Sequence, residues 1–205
     1  YVAAFNGIHV DYAPSYSPNF DDFTGGNGAL SNFAESSPIY KIGGGAGVGT
    51  SIPIAENGLK SVTVGYLSGS ANSPTAGKGL FNGDSALLGQ LNFKLGDKLE
   101  AGLTYVNSYH TGTNPIYGFG AAGIGLTGTS QANLSTAGGG TSANSYGAQV
   151  AYKASDTLAL NGFALNTKAN NGTIGKQDIW SYGAGLSLPN VDGKGSLIGL
   201  LVGAE

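Results

Sequence analysis

Cysteine, methionine and arginine are all absent from the 205 residues, and only 10% of the chain is charged. Without cysteine there are no thiolate metal sites and no disulfides, although the compartment stays undecided. Without arginine, the nine basic residues are all lysines set against twelve acids. A protein that grips nucleic-acid phosphates needs a basic patch, rich in arginine, and none is present. Long apolar runs are missing as well. The longest, Leu197–Ala204, falls far short of the roughly 20 residues that a membrane-crossing helix requires. No basic leader with an apolar core precedes Tyr1, and the chain stops within that apolar run, so it reads as an internal segment of a longer protein.

What is present in excess is glycine, 37 residues of it. Glycine inside a helix costs about 1 kcal/mol relative to alanine, so this composition opposes helix. Eleven tyrosines and eight phenylalanines exclude a disordered Gly/Ser linker. Strands separated by Gly/Asn/Ser connections remain. Their signature is period two. Leu87, Gly89, Leu91 and Phe93 alternate with Leu88, Gln90, Asn92 and Lys94, and Leu99, Ala101, Leu103 and Tyr105 alternate with Glu100, Gly102 and Thr104. Tyr146, Ala148, Val150 and Tyr152 alternate with Gly147, Gln149, Ala151 and Lys153, and Trp180 to Leu188 repeats the pattern. Val62, Val64 and Tyr66 continue it, and Tyr40–Ile52 shows it more weakly. Segments of about ten residues match a tilted strand crossing a bilayer.

Aromatics sit at the ends of the apolar faces, with Tyr40, Tyr66, Tyr105, Tyr146 and Trp180 at one end and Phe93 and Tyr152 at the other. The opposite face is Ser, Thr, Gly, Asn, Gln and Lys, too small and polar to build a packed core. A soluble barrel packs its apolar face inward, whereas a membrane barrel turns it outward between aromatic girdles. The pattern therefore predicts an all-β, transmembrane up-and-down antiparallel β-barrel. Residues 1–205 would form one segment of a larger barrel, with about eight strands and a ninth at Ser196–Ala204, so the segment alone need not close. The other strands are expected near Tyr1–Tyr12, Tyr40–Ile52, Leu59–Ser68, Asp84–Leu95, Leu99–His110, Asn144–Ala154, Thr157–Thr167 and Asp178–Leu188. Short connections (53–58, 96–98, 155–157, 189–196) alternate with long ones (14–38, 69–83, 111–143, 169–177), as short periplasmic turns alternate with long external loops. Phe93–Leu99 and Tyr152–Leu158 repeat one hairpin pattern of aromatic, Lys, small residue, Asp and Leu.

Several stretches then carry a resemblance. Gly28-Ala29-Leu30-Ser31-Asn32-Phe33, Ser37-Pro38-Ile39-Tyr40, Gly43–Gly49, Gly79-Leu80-Phe81-Asn82-Gly83-Asp84, Gly102–Tyr109, Asn144–Gly147 and Asp178-Ile179-Trp180 are similar to cyanobacterial outer-membrane porins. That family joins an S-layer-homology domain to a barrel like the carbohydrate-selective OprB porins, and some members are described as iron-uptake porins. The resemblance implies a Gram-negative-type, cyanobacterial outer membrane and a water-filled channel for small hydrophilic solutes or inorganic ions. It also implies an upstream peptidoglycan-binding domain, outer-membrane lipids as surroundings and, as in porins generally, a homotrimer. The alternative is a structural barrel that anchors the outer membrane to the cell wall with little transport. The family offers no catalytic residues and no cofactor.

Parity places Gln90, Asn92, Lys94, Glu100, Thr104, Gln149 and Lys153 on the pore-lining face. The connection 14–38, dense in aromatics and acids, is a possible constriction loop through Asp21, Asp22 and Glu35. Rival motifs are weak. Gly118–Gly123 matches the dinucleotide fingerprint, but Ile124–Gly128 after it is no helix and the next acid is Asp156. Gly77-Lys78 and Gly175-Lys176 lack the rest of a phosphate loop. His9 and His110 lack a metal-ligand spacing, and His110 reads as a solvated rim residue. Asp21-Asp22 lacks the alternating acids of a calcium loop. With two histidines and no nucleophile motif, the chain is not expected to be an enzyme, to hold a metal or to bind nucleic acid.

Overall fold

A computed structural model describes residues 2–5, 8–16, 37–42, 45–118, 128–189 and 196–204, with side chains described from 37 onward except at 40, 41, 45, 189, 197 and 201. Ten strands form one sheet: β1 Val2–Phe5, β2 Ile8–Tyr16, β3 Gly45–Pro53, β4 Gly58–Ser68, β5 Ser85–Leu95, β6 Leu99–His110, β7 Thr141–Ser155, β8 Leu158–Asn171, β9 Gly175–Pro189 and β10 Leu197–Ala204. Sheet order equals chain order, and every neighbouring pair of these strands is antiparallel. No helix among the described residues is long and apolar enough to cross a membrane. This is the up-and-down wall of a barrel, and the architecture matches the expectation.

The details differ in three places. Tyr1–Tyr12 is not one strand, because β1 and β2 are separate and pair as a hairpin. Tyr40 does not begin a strand. Its backbone belongs to a 3-10 turn, Pro38–Lys41, entered through Ser37, whose Oγ accepts a hydrogen bond from Ile39 N–H. The long loop expected at 169–177 is a three-residue turn between Asn171 and Gly175, so long and short connections do not alternate throughout. Asn171 builds that turn. Its Oδ1 accepts from the backbone N–H of Thr173 and Ile174, and Gly175 supplies φ of +77°. Strands β8 and β9 run on to Asn171 and Gly175 through continued backbone pairing, although most side chains there are polar.

The sheet has two unlike faces. On one, Val64, Leu87, Leu91, Leu103, Tyr105, Tyr146, Val150, Tyr152, Leu160, Trp180, Tyr182, Leu200 and Val202 are exposed. On the other, Leu67, Leu88, Val106, Ala143, Leu165 and Ala169 are buried beneath Ile39, Ile42, Ile116, Tyr117 and Leu134 from the connections. The face expected to be too polar for a core thus has one along its half nearer the long connections. That core is made with loops rather than with a second sheet.

Candidate functional site

The covered face is the inner wall of the barrel, and its chemistry changes with height. The rows nearest the long connections carry the apolar core just described. One row down lie Thr63, Gln90 and Thr104, in register across β4, β5 and β6, with Ser51 of β3 opposite Thr63. A hydrogen-bonded ladder of uncharged groups crosses these strands. Ser51 Oγ and Thr63 Oγ1 are 3.0 Å apart, and Asn92 Nδ2 donates to Ser61 Oγ at 2.9 Å. Gln90 Nε2 donates to Asn92 Oδ1 at 2.5 Å, Thr104 Oγ1 donates to Gln90 Oε1 at 3.0 Å, and Gln149 Nε2 donates to Thr104 Oγ1 at 3.3 Å. Amides supply donors and acceptors together, so a chain of them satisfies itself without charge.

The residues singled out for the pore lining all fall on this face, but in different surroundings. Gln90, Thr104 and Gln149 are buried in the ladder, while Asn92, Lys94 and Glu100 are half-buried. Lys94 and Glu100 are direct cross-strand partners near the short-turn rim. Lys153 is exposed and turns to the β7–β8 turn, where Nζ lies 2.8 Å from Asp156 Oδ1. That pairing holds the Asp156 carboxyl below the usual carboxylate range. The rim is stitched between neighbouring turns. Asn57 Oδ1 accepts from Gly96 N–H, and Lys98 Nζ donates to Ala154 O.

Asp21, Asp22 and Glu35 lie outside the described residues. The end of their connection is described, and it sits on the inner wall, with Ser37, Pro38 and Ile39 fully buried. Ile39 Cδ1 is 2.9 Å from where a β-carbon on Gly147 would stand. The connection between β6 and β7 also folds onto this wall, which the sequence reading left external. Tyr117 Oη donates to Thr167 Oγ1 at 2.6 Å, and Thr167 Oγ1 meets Ser145 Oγ at 2.7 Å. Tyr117 N–H donates to Asn133 Oδ1, tying residues 116–117 to the turns at 129–134. The signal for this was the apolar residues Ile116, Tyr117 and Leu134 within a Gly/Ser/Thr-rich stretch. The rim reading of His110 is corrected: it is 1% exposed, its Nε2 is 2.9 Å from Ser108 Oγ, and the loop above encloses it. That loop is held by Asp84, whose carboxylate accepts from Thr111 N–H, Thr111 Oγ1 and Asn114 Nδ2.

On the outer face, Tyr105, Tyr146, Asn166 and Trp180 occupy one register row across β6 to β9. The Tyr105 and Tyr146 rings are 5.3 Å apart. Tyr66 lies one row nearer the long connections, and Phe93 and Tyr152 lie on the same face towards the short turns. The side chain of Tyr40 is outside the described set. Beyond the aromatic row this face becomes polar, with Tyr105 Oη donating to Asn144 Oδ1 and Asn166 bonded to Asp178.

Comparison with known proteins agrees with this geometry. The family model described as carbohydrate-selective porin, OprB family, matches residues 2–205. An uncharacterised protein of Nostoc sp. (strain PCC 7120) is 43% identical over 212 residues, covering 100% of this chain and 37% of that protein. An uncharacterised protein of Synechocystis sp. (strain PCC 6803) is 30% identical over 195 residues, covering 86% of this chain and 34% of its own length. The chain therefore spans about a third of the length of these curated relatives. No solved structure gives a significant match. With a two-faced antiparallel meander and a family match from one end to the other, the chain belongs to the OprB family of carbohydrate-selective porins.

Proposed function

We propose that the chain is a wall segment of an outer-membrane channel through which small, uncharged hydrophilic solutes, carbohydrates foremost, diffuse passively. The observation that carries this reading is the ladder from Ser51 to Gln149, a wall of neutral hydroxyls and amides. Such groups exchange hydrogen bonds with a hydroxylated solute and present no fixed charge to repel or trap an ion. The apolar outer face between Tyr105 and Tyr152 supports placement in lipid, since exposed leucines and valines of this number have no other use on a soluble sheet. A cyanobacterial outer membrane, an upstream peptidoglycan-binding domain and a homotrimer belong to the same proposal, and inorganic ions are its lesser solutes. The longer relatives leave room for further strands and a further domain.

The test is single-channel recording of the full-length protein in planar bilayers, paired with liposome swelling in neutral sugars. Open steps with swelling faster in sugars than in salts of similar size support the reading. One observation favours the anchoring alternative: Ile39, Ile116 and Tyr117 fill part of the inner wall. A silent bilayer with intact barrel would select it.

A further inference from the structure

Phe163 breaks the rule followed by the other aromatics of β4 to β9. Tyr66, Phe93, Tyr105, Tyr109, Tyr146, Tyr152, Trp180 and Tyr182 share the parity of the outer face, whereas Phe163 shares that of Leu165 and Thr167 on the inner wall. It is half-buried and does not join the apolar core, although Leu165, two residues on, lies inside it. Its ring lies against β9: a β-carbon on Gly183, its register partner, would stand 2.6 Å from Cε1. Asn161 does the same over Gly185, its own partner. Two glycines on alternate positions of β9 thus leave the floor on which a ring and an amide lie side by side. On the other flank the register partner of Phe163 is Gln149, the last amide of the ladder.

We propose that Phe163, flanked by Gln149 and Asn161, is a stacking platform for one face of a sugar ring on the inner wall. This rests on the porin reading above and deepens it by assigning specificity to named residues. A pyranose has hydroxyls around its equator and faces made largely of C–H bonds. An aromatic ring presents a negative face that attracts such C–H groups, and amides at its edge reach the hydroxyls. Phe163 is only half-buried where it lies against β9, so it stays reachable from the inner side of the sheet. An acyclic polyol carries the same hydroxyls without the flat face, so the platform distinguishes ring from chain. The ladder alone does not.

The test uses the full-length protein in planar bilayers, with methyl β-glucopyranoside and sorbitol as the two probes. Ion conductance reports the channel, and concentration-dependent reduction of current reports the platform. The glucoside is expected to reduce current at lower concentration than sorbitol. Phe163→Leu should raise the half-effective glucoside concentration about three- to tenfold, in keeping with the worth of an aromatic contact. Phe163→Trp should preserve the effect, and Gly183→Ala, which lifts the ring, should weaken it with Phe163 in place. Equal responses of wild type and Phe163→Leu, or no preference for the glucoside in the wild type, overturn the proposal. Absence of any conductance refutes the porin reading instead. Calorimetric titration of the same protein with the glucoside then decides the platform: binding lost in Phe163→Leu supports it, and no binding to the wild type overturns it.

Discussion

Ile39 occupies the space that a side chain on Gly147 would need, with Cδ1 2.9 Å from the position of the missing β-carbon. One residue belongs to the turn Pro38–Lys41 near the end of the connection between β2 and β3 and the other to the middle of β7, so this contact seats that turn on the inner wall. It lies beside the ladder, since the same position is 3.6 Å from Gln149 Nε2.

Gly147→Val is expected to unseat the Pro38–Lys41 turn without unfolding the sheet. Overpacking of this kind typically costs about 1–3 kcal/mol, and moving a short turn relieves it more cheaply than bending β7. Limited proteolysis should cut near residues 37–42 in the variant, and single-channel conductance should rise. Unchanged conductance with an accessible turn would show that the turn does not narrow the passage.

Tyr117→Phe removes the hydrogen bond to Thr167 and keeps the ring. The expected loss is about 1 kcal/mol, because Thr167 Oγ1 retains Ser145 as a partner. Urea unfolding in lipid vesicles measures it. Tyr117→Ala should cost about 3–5 kcal/mol, since the ring is buried in the core. A similar small loss in both variants would mean that the loop contributes little to the wall.

Leu103 and Asn92 test which face meets lipid. Leu103 is exposed on the outer face between the aromatic rows, and Leu103→Lys should destabilise by about 2–4 kcal/mol, the cost of lysine near a bilayer midplane. Asn92→Lys gives up hydrogen bonds to Ser61 and Thr63 on the inner wall and should cost about 1 kcal/mol. The reverse order of the two losses in vesicles would exchange inside and outside.

Lys94→Glu is expected to shift the reversal potential towards cations more than Lys153→Glu does. Lys153 is already compensated by Asp156, whereas Lys94 faces Glu100 across a half-buried stretch of the inner wall. The Asp156 pKa is lowered by Lys153, so compensation holds above the ordinary carboxylate pKa and is lost as pH falls through the depressed value. The pair is exposed and adds little stability. Reversal potentials of wild type and the double variant Lys153→Gln/Asp156→Asn should therefore agree closely at neutral pH and separate only in strong acid, where the wild type keeps an uncompensated lysine. Separation at neutral pH would show that Asp156 does not mask Lys153.

Period-two alternation over Leu87–Phe93, Leu99–Tyr105 and Tyr146–Tyr152 was enough to place the strands, their outer face and the aromatic row, because a residue's side of a strand depends only on parity. That Gln90, Asn92, Lys94, Glu100, Thr104 and Gln149 share one face of the sheet was legible for the same reason. The extensions of β8 and β9 were not. Most side chains there are polar, so the pattern fades while backbone pairing continues.

What the sequence determined by itself is local: strand, parity, turn chemistry at Gly96-Asp97 and Ser155-Asp156, and the exclusion of helix by glycine. Only the tertiary structure decided which connections return to the wall. Val106 and Leu165 are apolar at inner positions, and parity alone gives them no partner. Ile39, 67 positions before Val106, and Ile116 and Tyr117, 48 or more before Leu165, come together to bury them, and such pairing is fixed by shape in three dimensions rather than by any period along the chain. The placing of Phe163 over Gly183 has the same origin, since the room for its ring is made on the neighbouring strand.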